Sequence, residues 1–212
     1  MSKVEFYLDP ACPWCWVTSR WLHLVSNKRE IDITWRPFSL AMKNGKLEKA
    51  DKDDPYAEKQ LASHRVLRIM VAAAEKHGVS LADSYTAFGI KHHTADFDYD
   101  DEWIATTLEE LKLPADLIKA GEDASLDTHL QSELDSAIEV VGDDVGVPTI
   151  VFINEDGIKQ GYFGPVIMEL PEMDEALKLW DGLSSLATVK SFYELKRSRP
   201  SGGPDTASTA RC

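Results

Sequence analysis

Val4-Glu5-Phe6-Tyr7-Leu8-Asp9-Pro10-Ala11-Cys12-Pro13-Trp14-Cys15-Trp16 is the stretch on which the reading of this chain turns. Residues Val4 to Leu8 alternate in the manner of a half-buried strand, and Asp9-Pro10-Ala11 breaks it. From Pro13 to about Lys28, Val17, Trp21, Leu24 and Val25 recur at helical spacing. Pro13 suits the first turn of that helix, where a missing N–H leaves no bond unmade. Two cysteines therefore fall where a strand hands over to a helix. Ile31-Asp32-Ile33-Thr34-Trp35 then alternates with β-branched residues, a second strand ending near Phe38. The three elements form a βαβ unit with parallel strands and a right-handed crossover.

Downstream the period changes. A polar linker runs from Asn44 to Asp54, followed by helical stretches over Pro55–His77, Ala82–Lys91, Asp101–Lys112, Pro114–Ala120 and Ser125–Val141, the last stopped by Gly142. Thr149-Ile150-Val151-Phe152-Ile153 and Ile158 to Phe163 flank Asn154-Glu155-Asp156-Gly157, a hairpin signature. A final helix is expected over Glu172–Lys196. The order βαβ, helical block, helix, ββ, α predicts an α/β thioredoxin-like fold, with a mixed sheet interrupted by an all-helical insertion. Residues 1–43 and 124–198 form the discontinuous thioredoxin-like domain, and 44–123 the insert. The tail over 199–212 is rich in Ser, Gly, Pro and Thr, too polar to offset its ordering entropy by apolar burial, and is expected to be disordered.

With 36 acidic against 23 basic residues, the chain carries a formal charge of -13 and repels a phosphate backbone at long range. Nucleic acid is therefore not an expected partner. No apolar run approaches the roughly 20 residues of a membrane span. Met1-Ser2-Lys3 leads straight into the first strand without a signal-peptide pattern, so a cytoplasmic protein is expected. The basic cluster Lys196, Arg197 and Arg199 reads as a solvated helix end.

The chemistry lies in Cys12-Pro13-Trp14-Cys15. Unpaired N–H groups and the positive end of the macrodipole at a helix start favour a thiolate. Cys12 gains most from that position and is assigned the attack. Cys15, one turn deeper, displaces whatever Cys12 captures and is the resolving thiol. Two thiolates at this spacing also suit zinc, but zinc takes four ligands. The only further cysteine is Cys212 in the tail, and the six histidines form no ligand spacing, so no metal is expected. The flanking Trp14 is expected at the surface beside the thiols.

The second element is Gly146-Val147-Pro148-Thr149, directly before a strand. Proline is tolerated at a strand entry with no function at all. The fold, however, brings this loop against the cysteines. With a cis Val147–Pro148 bond, the Val147 backbone would face an extended substrate or thiol.

Asp9-Pro10-Ala11-Cys12-Pro13-Trp14-Cys15-Trp16, the block Val141 to Thr149, Phe163-Gly164-Pro165, Leu179-Trp180-Asp181 and Glu194-Leu195-Lys196-Arg197 closely resemble the actinobacterial, DsbA-like mycothiol-dependent nitroreductases and mycoredoxin-type reductases. The match spans most of residues 4 to 197. The resemblance implies mycothiol as thiol co-substrate, no tightly bound cofactor, and a disulfide or nitro compound as substrate. It also implies that Asn44, Tyr56 and a histidine of the insert, His93 rather than His92, line a pocket with Trp14, Pro13, Val147 and Pro148. Two other readings remain: a thiol-transferase or isomerase of the glutathione-transferase kappa type, against which Cys15 counts, and a redox-sensing binding module.

Overall fold

The computed structural model describes residues 2–48, 56–95 and 97–211. Part of the expected linker up to Asp54 lies outside them. A four-stranded sheet holds β1 (Ser2–Leu8), β2 (Ile31–Pro37), β3 (Thr149–Ile153) and β4 (Lys159–Phe163) in the order β2-β1-β3-β4. β1 and β2 run parallel, with Phe6 beside Trp35, whereas β3 lies antiparallel to both β1 and β4. This is the mixed sheet expected of a thioredoxin-like fold. β1, in the middle, is buried from Val4 onwards.

The helix α1 (Pro13–Ser26) links the parallel pair, starting at Pro13 with Cys12 as its N-cap. On the same face α7 (Met173–Leu186) packs against it; the Trp21 indole N–H donates to the Ala176 carbonyl at 3.1 Å. On the opposite face lies α6 (Asp127–Val141), ended at Gly142 with φ 87°. Arg36 of β2 there bridges Glu5 of β1 at 2.9 Å and Glu133 of α6 at 2.8 Å, and Lys159 reaches Glu5 at 2.9 Å. A buried carboxylate is tolerable in a sheet only with such partners. Burial raises the Glu5 pKa, but hydrogen bonds and charge from Lys159 and Arg36 outweigh it and leave it below the ordinary value.

Between β2 and α6 come α2 (Leu40–Lys43), α3 (Ala57–His77), α4 (Leu81–Ala95), α5 (Asp101–Glu110) and 3-10 turns over Ala115–Glu122 and Ala124–Leu126. The segment expected as a helix over Pro114–Ala120 is thus 3-10. α4 packs on α1 and β2, carrying the insert to the cysteine face. At Gly89 of α4 an added Cβ would lie 2.2 Å from the Trp16 ring, so the helix lies directly on the indole. Ser39, His64 and Asp127 form a chain of 2.9 and 3.0 Å contacts between α2, α3 and α6. Its residue types are those of a hydrolytic triad, but Ser39 is wholly buried and caps α2 by accepting from the Met42 N–H, so no substrate reaches it. No helix among the described residues is long and apolar enough to cross a membrane.

Two further expectations are corrected. The last helix ends at Leu186 rather than Lys196, just before the poor helix formers Thr188, Val189 and Ser191. The tail expected to be disordered is docked along residues 199–211, ending in a 3-10 turn over Ala207–Arg211. The Asp205 N–H donates to the Met168 carbonyl, and the Ser208 hydroxyl accepts from the Leu170 N–H at 2.9 Å. Arg211 contacts Glu172 and the Leu170 carbonyl. Thr209 is buried and accepts the Trp16 indole N–H at 2.8 Å. Polar anchoring supplies here what apolar burial does not.

Candidate active site

The site starts from the turn that ends β1. The Asp9 carboxylate accepts from the Ala11 N–H at 2.8 Å, from the Ser63 hydroxyl of α3 at 2.5 Å, and from the Leu40 N–H of α2 at 2.8 Å. One buried carboxyl therefore fixes the cysteine turn against two helices. Burial pushes its pKa up to about 6 against the pull of those three bonds. On the other side of the turn, the His93 Nε2–H donates to the Pro10 carbonyl at 3.0 Å, and the ring stacks on Trp16 at 5.4 Å. Burial, then the neighbouring His92, push the His93 pKa down to about 3, so the ring is neutral at physiological pH.

Cys12 and Cys15 are both free thiols. The Cys15 N–H donates to Cys12 Sγ at 3.4 Å, and Cys12 Sγ–H donates to the Val147 carbonyl at 3.5 Å. The first contact is the capping interaction that a side-chain acceptor makes at a helix start. The second joins the cysteine turn to the loop before β3, where the Val147–Pro148 bond is cis. Cys15 is wholly buried; burial, then the hydrogen bond and charge of Cys12, raise its pKa well above the ordinary thiol value. Such a thiol is shielded from solvent and lies within one helical turn of Cys12 Sγ. Cys12 itself is enclosed, at 7% exposure, with the Val147 carbonyl against its sulfur.

The structure brings Pro13, Trp14, Val147 and Pro148 together around Cys12. Trp14 is half-buried rather than open, with the Arg199 guanidinium 4.9 Å above its ring. His93 lies behind the motif, engaged with Pro10 and Trp16. Asn44 sits at the C-cap of α2, exposed, its amide donating to Gln60 Oε1 at 3.1 Å. Tyr56 is 65% exposed at the start of α3. The Asn44 amide is thus turned to α3 rather than to the cysteine turn.

Sequence reasoning passes over four groups: Asp9, Ser63, Arg199 and Thr209. The Asp9–Ala11 bond is an Asx-turn, which a strand-ending Asp followed by Pro can signal. Contacts at the sequence separation of Ser63, Arg199 and Thr209 leave no local trace. Tyr99 is a further neighbour; burial first, then the charges of Asp9 and Cys12, raise its pKa, so its hydroxyl stays protonated.

Comparison with known proteins bears on the fold and the family. A family model described as "Rv2466c-like: Mycothiol-dependent nitroreductase Rv2466c" matches residues 11–197. Among curated proteins, the chain is 32% identical over 205 residues to the uncharacterized protein Rv2286c of Mycobacterium tuberculosis, covering 93% of this chain and 82% of that one. Among solved structures, the cytosolic disulfide reductase DsbM from Pseudomonas aeruginosa superposes with a TM-score of 0.56 at 15% identity, covering 87% of this chain and 99% of that chain. The probable DsbA oxidoreductase SCO1869 from Streptomyces coelicolor gives 0.56 at 16%, covering 96% and 98%. A 2-hydroxychromene-2-carboxylate isomerase gives 0.58 at 15%, covering 87% and 95%. Likeness at such identities speaks for the fold alone, which is DsbA-like. With its dithiol on a DsbA-like scaffold and a family match over most of its length, the chain is a thiol–disulfide oxidoreductase that belongs to the Rv2466c-like family of mycothiol-dependent nitroreductases.

Proposed function

We propose that this enzyme is a cytoplasmic, mycothiol-dependent reductase of mixed disulfides and of nitro compounds, with Cys12 as nucleophile and Cys15 as resolving thiol. The observation that carries the reading is the pairing of the two sulfurs' environments: Cys12 as N-cap against the Val147 carbonyl, and Cys15 buried one turn behind it. The family match supports mycothiol as the co-substrate, and a cytoplasmic thiol as reductant implies a cytoplasmic enzyme.

The Cys12 thiolate attacks a disulfide RS–SR′. A bond forms to the RS sulfur, the S–S bond breaks and R′S⁻ leaves. Cys15 then loses its proton to the buried Asp9 carboxylate and attacks Cys12, expelling RS⁻ and leaving a Cys12–Cys15 disulfide. Two mycothiols restore the dithiol and leave as mycothiol disulfide. In the monothiol route, one mycothiol attacks the mixed disulfide instead. Reduction of a nitro to a nitroso group draws two electrons from two mycothiol thiols and releases one water. Pro13, Trp14, Val147 and Pro148 frame the attacking sulfur, Asn44 and Tyr56 reach the substrate from the insert, and His93 holds the motif in position. Turnover of a mycothiol mixed disulfide, coupled to mycothiol and its reductase, tests the reading beside Cys12→Ser and Cys15→Ser. Full activity in Cys12→Ser overturns it.

A further inference from the structure

Beside the cysteine turn, on the outer side of Trp14, lies a hollow of about 430 Å³ lined by Trp14, Lys196, Arg197, Ser198, Arg199, Pro200 and Gly202. Lys196, Arg197 and Arg199 are all exposed, and none makes an ion pair among the described residues. In a chain of net charge -13, carboxylates are abundant, yet among the described residues none forms an ion pair with this group.

The segment is held in place at both ends. Upstream, Gln160 donates to the Val189 carbonyl at 3.0 Å and Tyr162 packs on Phe192 at 5.6 Å. Downstream, Thr209 and Ser208 fix the tail to Trp16 and Leu170. Between the anchors, Arg199 is laid over Trp14, one of the two residues between the cysteines. Among the described residues no carboxylate pairs with any of these three like charges, and their mutual repulsion stands as a cost. An external anion offsets it.

We propose that this hollow is the specificity site for the charged end of the substrate, and that the preferred substrates are small disulfides carrying a carboxylate on an aromatic ring. A guanidinium over an indole offers both parts of such a ligand a partner: a planar cation for the carboxylate and a flat surface for the ring. A volume of this size is within the range of small-molecule pockets. The proposal rests on Cys12 being the attacking sulfur.

The test is a single turnover of the reduced enzyme, in a Cys212→Ser background that removes the third thiol of the sequence and with no added thiol, against dithiobis(nitrobenzoate), which is anionic, and dithiodipyridine, which is neutral. In each case Cys12 attacks the disulfide and releases one arylthiolate, and Cys15 attacks Cys12 and releases the second. Two equivalents appear while the dithiol is oxidised. Rates are normalised to those of free cysteine, which removes the leaving-group difference. The anionic-to-neutral ratio of the natural enzyme exceeds that of Lys196→Gln/Arg197→Gln/Arg199→Gln by roughly tenfold at low ionic strength. For the natural enzyme alone, the ratio falls severalfold as salt rises to about 0.5 M, where the screening length is only a few ångströms. The salt arm needs no change in the basic cluster, so it stands if the triple variant fails to fold. A ratio unmoved by either the variant or salt, with two equivalents still released from dithiodipyridine, overturns the anion site and leaves the reductase reading intact. No arylthiolate from either disulfide overturns both.

Discussion

Replacing Thr209 by Val tests the docked tail at one atom. The Trp16 indole N–H donates to Thr209 Oγ1 at 2.8 Å, and Trp16 is 1% exposed, so water has no route to the donor once the hydroxyl is gone. A buried donor left without a partner costs about 1–3 kcal/mol. Valine fills the same space, so no cavity cost is added. The Thr206 carbonyl, which Thr209 also serves at 2.6 Å, is only half-buried and can turn to solvent. In a protein of this size 1 kcal/mol corresponds to roughly 2–4 °C in Tm, so a fall of about 2–12 °C is expected. Urea unfolding followed by tryptophan fluorescence measures the same loss at fixed temperature. Thr209→Ser, which keeps the hydroxyl and drops only a methyl, is expected to stay within about 1 kcal/mol of the natural protein. A valine variant with an unchanged midpoint, or a serine variant as unstable as the valine one, refutes the reasoning: the tail would then be held by something other than this bond.

Three more predictions follow from other parts of the molecule. Gly89→Ala pushes a methyl into the Trp16 ring, which His93 stacks on and Tyr85 borders, so a loss of about 1–3 kcal/mol in a urea titration is expected, and a neutral result would mean that α4 is free to shift. Asp9 has a folded pKa of about 6 against an ordinary 3.8, so it favours the fold fully below 3.8 and that contribution of roughly 3 kcal/mol disappears as pH rises through 6. The stability difference between the natural protein and Asp9→Asn therefore grows in favour of Asp9 as pH falls from about 8 to 4; a pH-independent difference contradicts the buried carboxyl. In the natural protein, iodoacetamide is expected to modify Cys12 at least about tenfold faster than Cys15, because Cys15 is buried with a raised pKa; peptide mapping with equal labelling of both would remove the division of roles.

The sheet and the cysteine helix were legible because their signals are local. Alternation in Ile31–Trp35, a turn at Asn154–Gly157 and a proline at the first helical position each act over a few residues. The tail was misread for the opposite reason. Its composition argues against burying apolar surface, and it does not: it docks through Thr209, Ser208 and Asp205, whose partners lie far away in sequence. The overlong last helix has a similar origin, since no Gly or Pro stops it and only the weak propensities of Thr188 and Val189 mark the end. Within the site, both cysteines and the Val147–Pro148 loop were readable from motif and position. Asp9 was seen only as a strand breaker, because its carboxyl meets Ser63 and Leu40 solely in the folded chain.

Val4 lies beside Ile33 on one side and Phe152 on the other. During synthesis the first neighbour emerges almost at once, but the second comes roughly 120 residues later, which at 5–20 residues per second is about 6–24 s. For that interval the nascent β1 keeps one hydrogen-bonding edge open beside the apolar Phe6 and Leu8. A ribosome paused ahead of Thr149 would leave a sticky half-sheet, which gives the cell's holding chaperones a defined window on this chain.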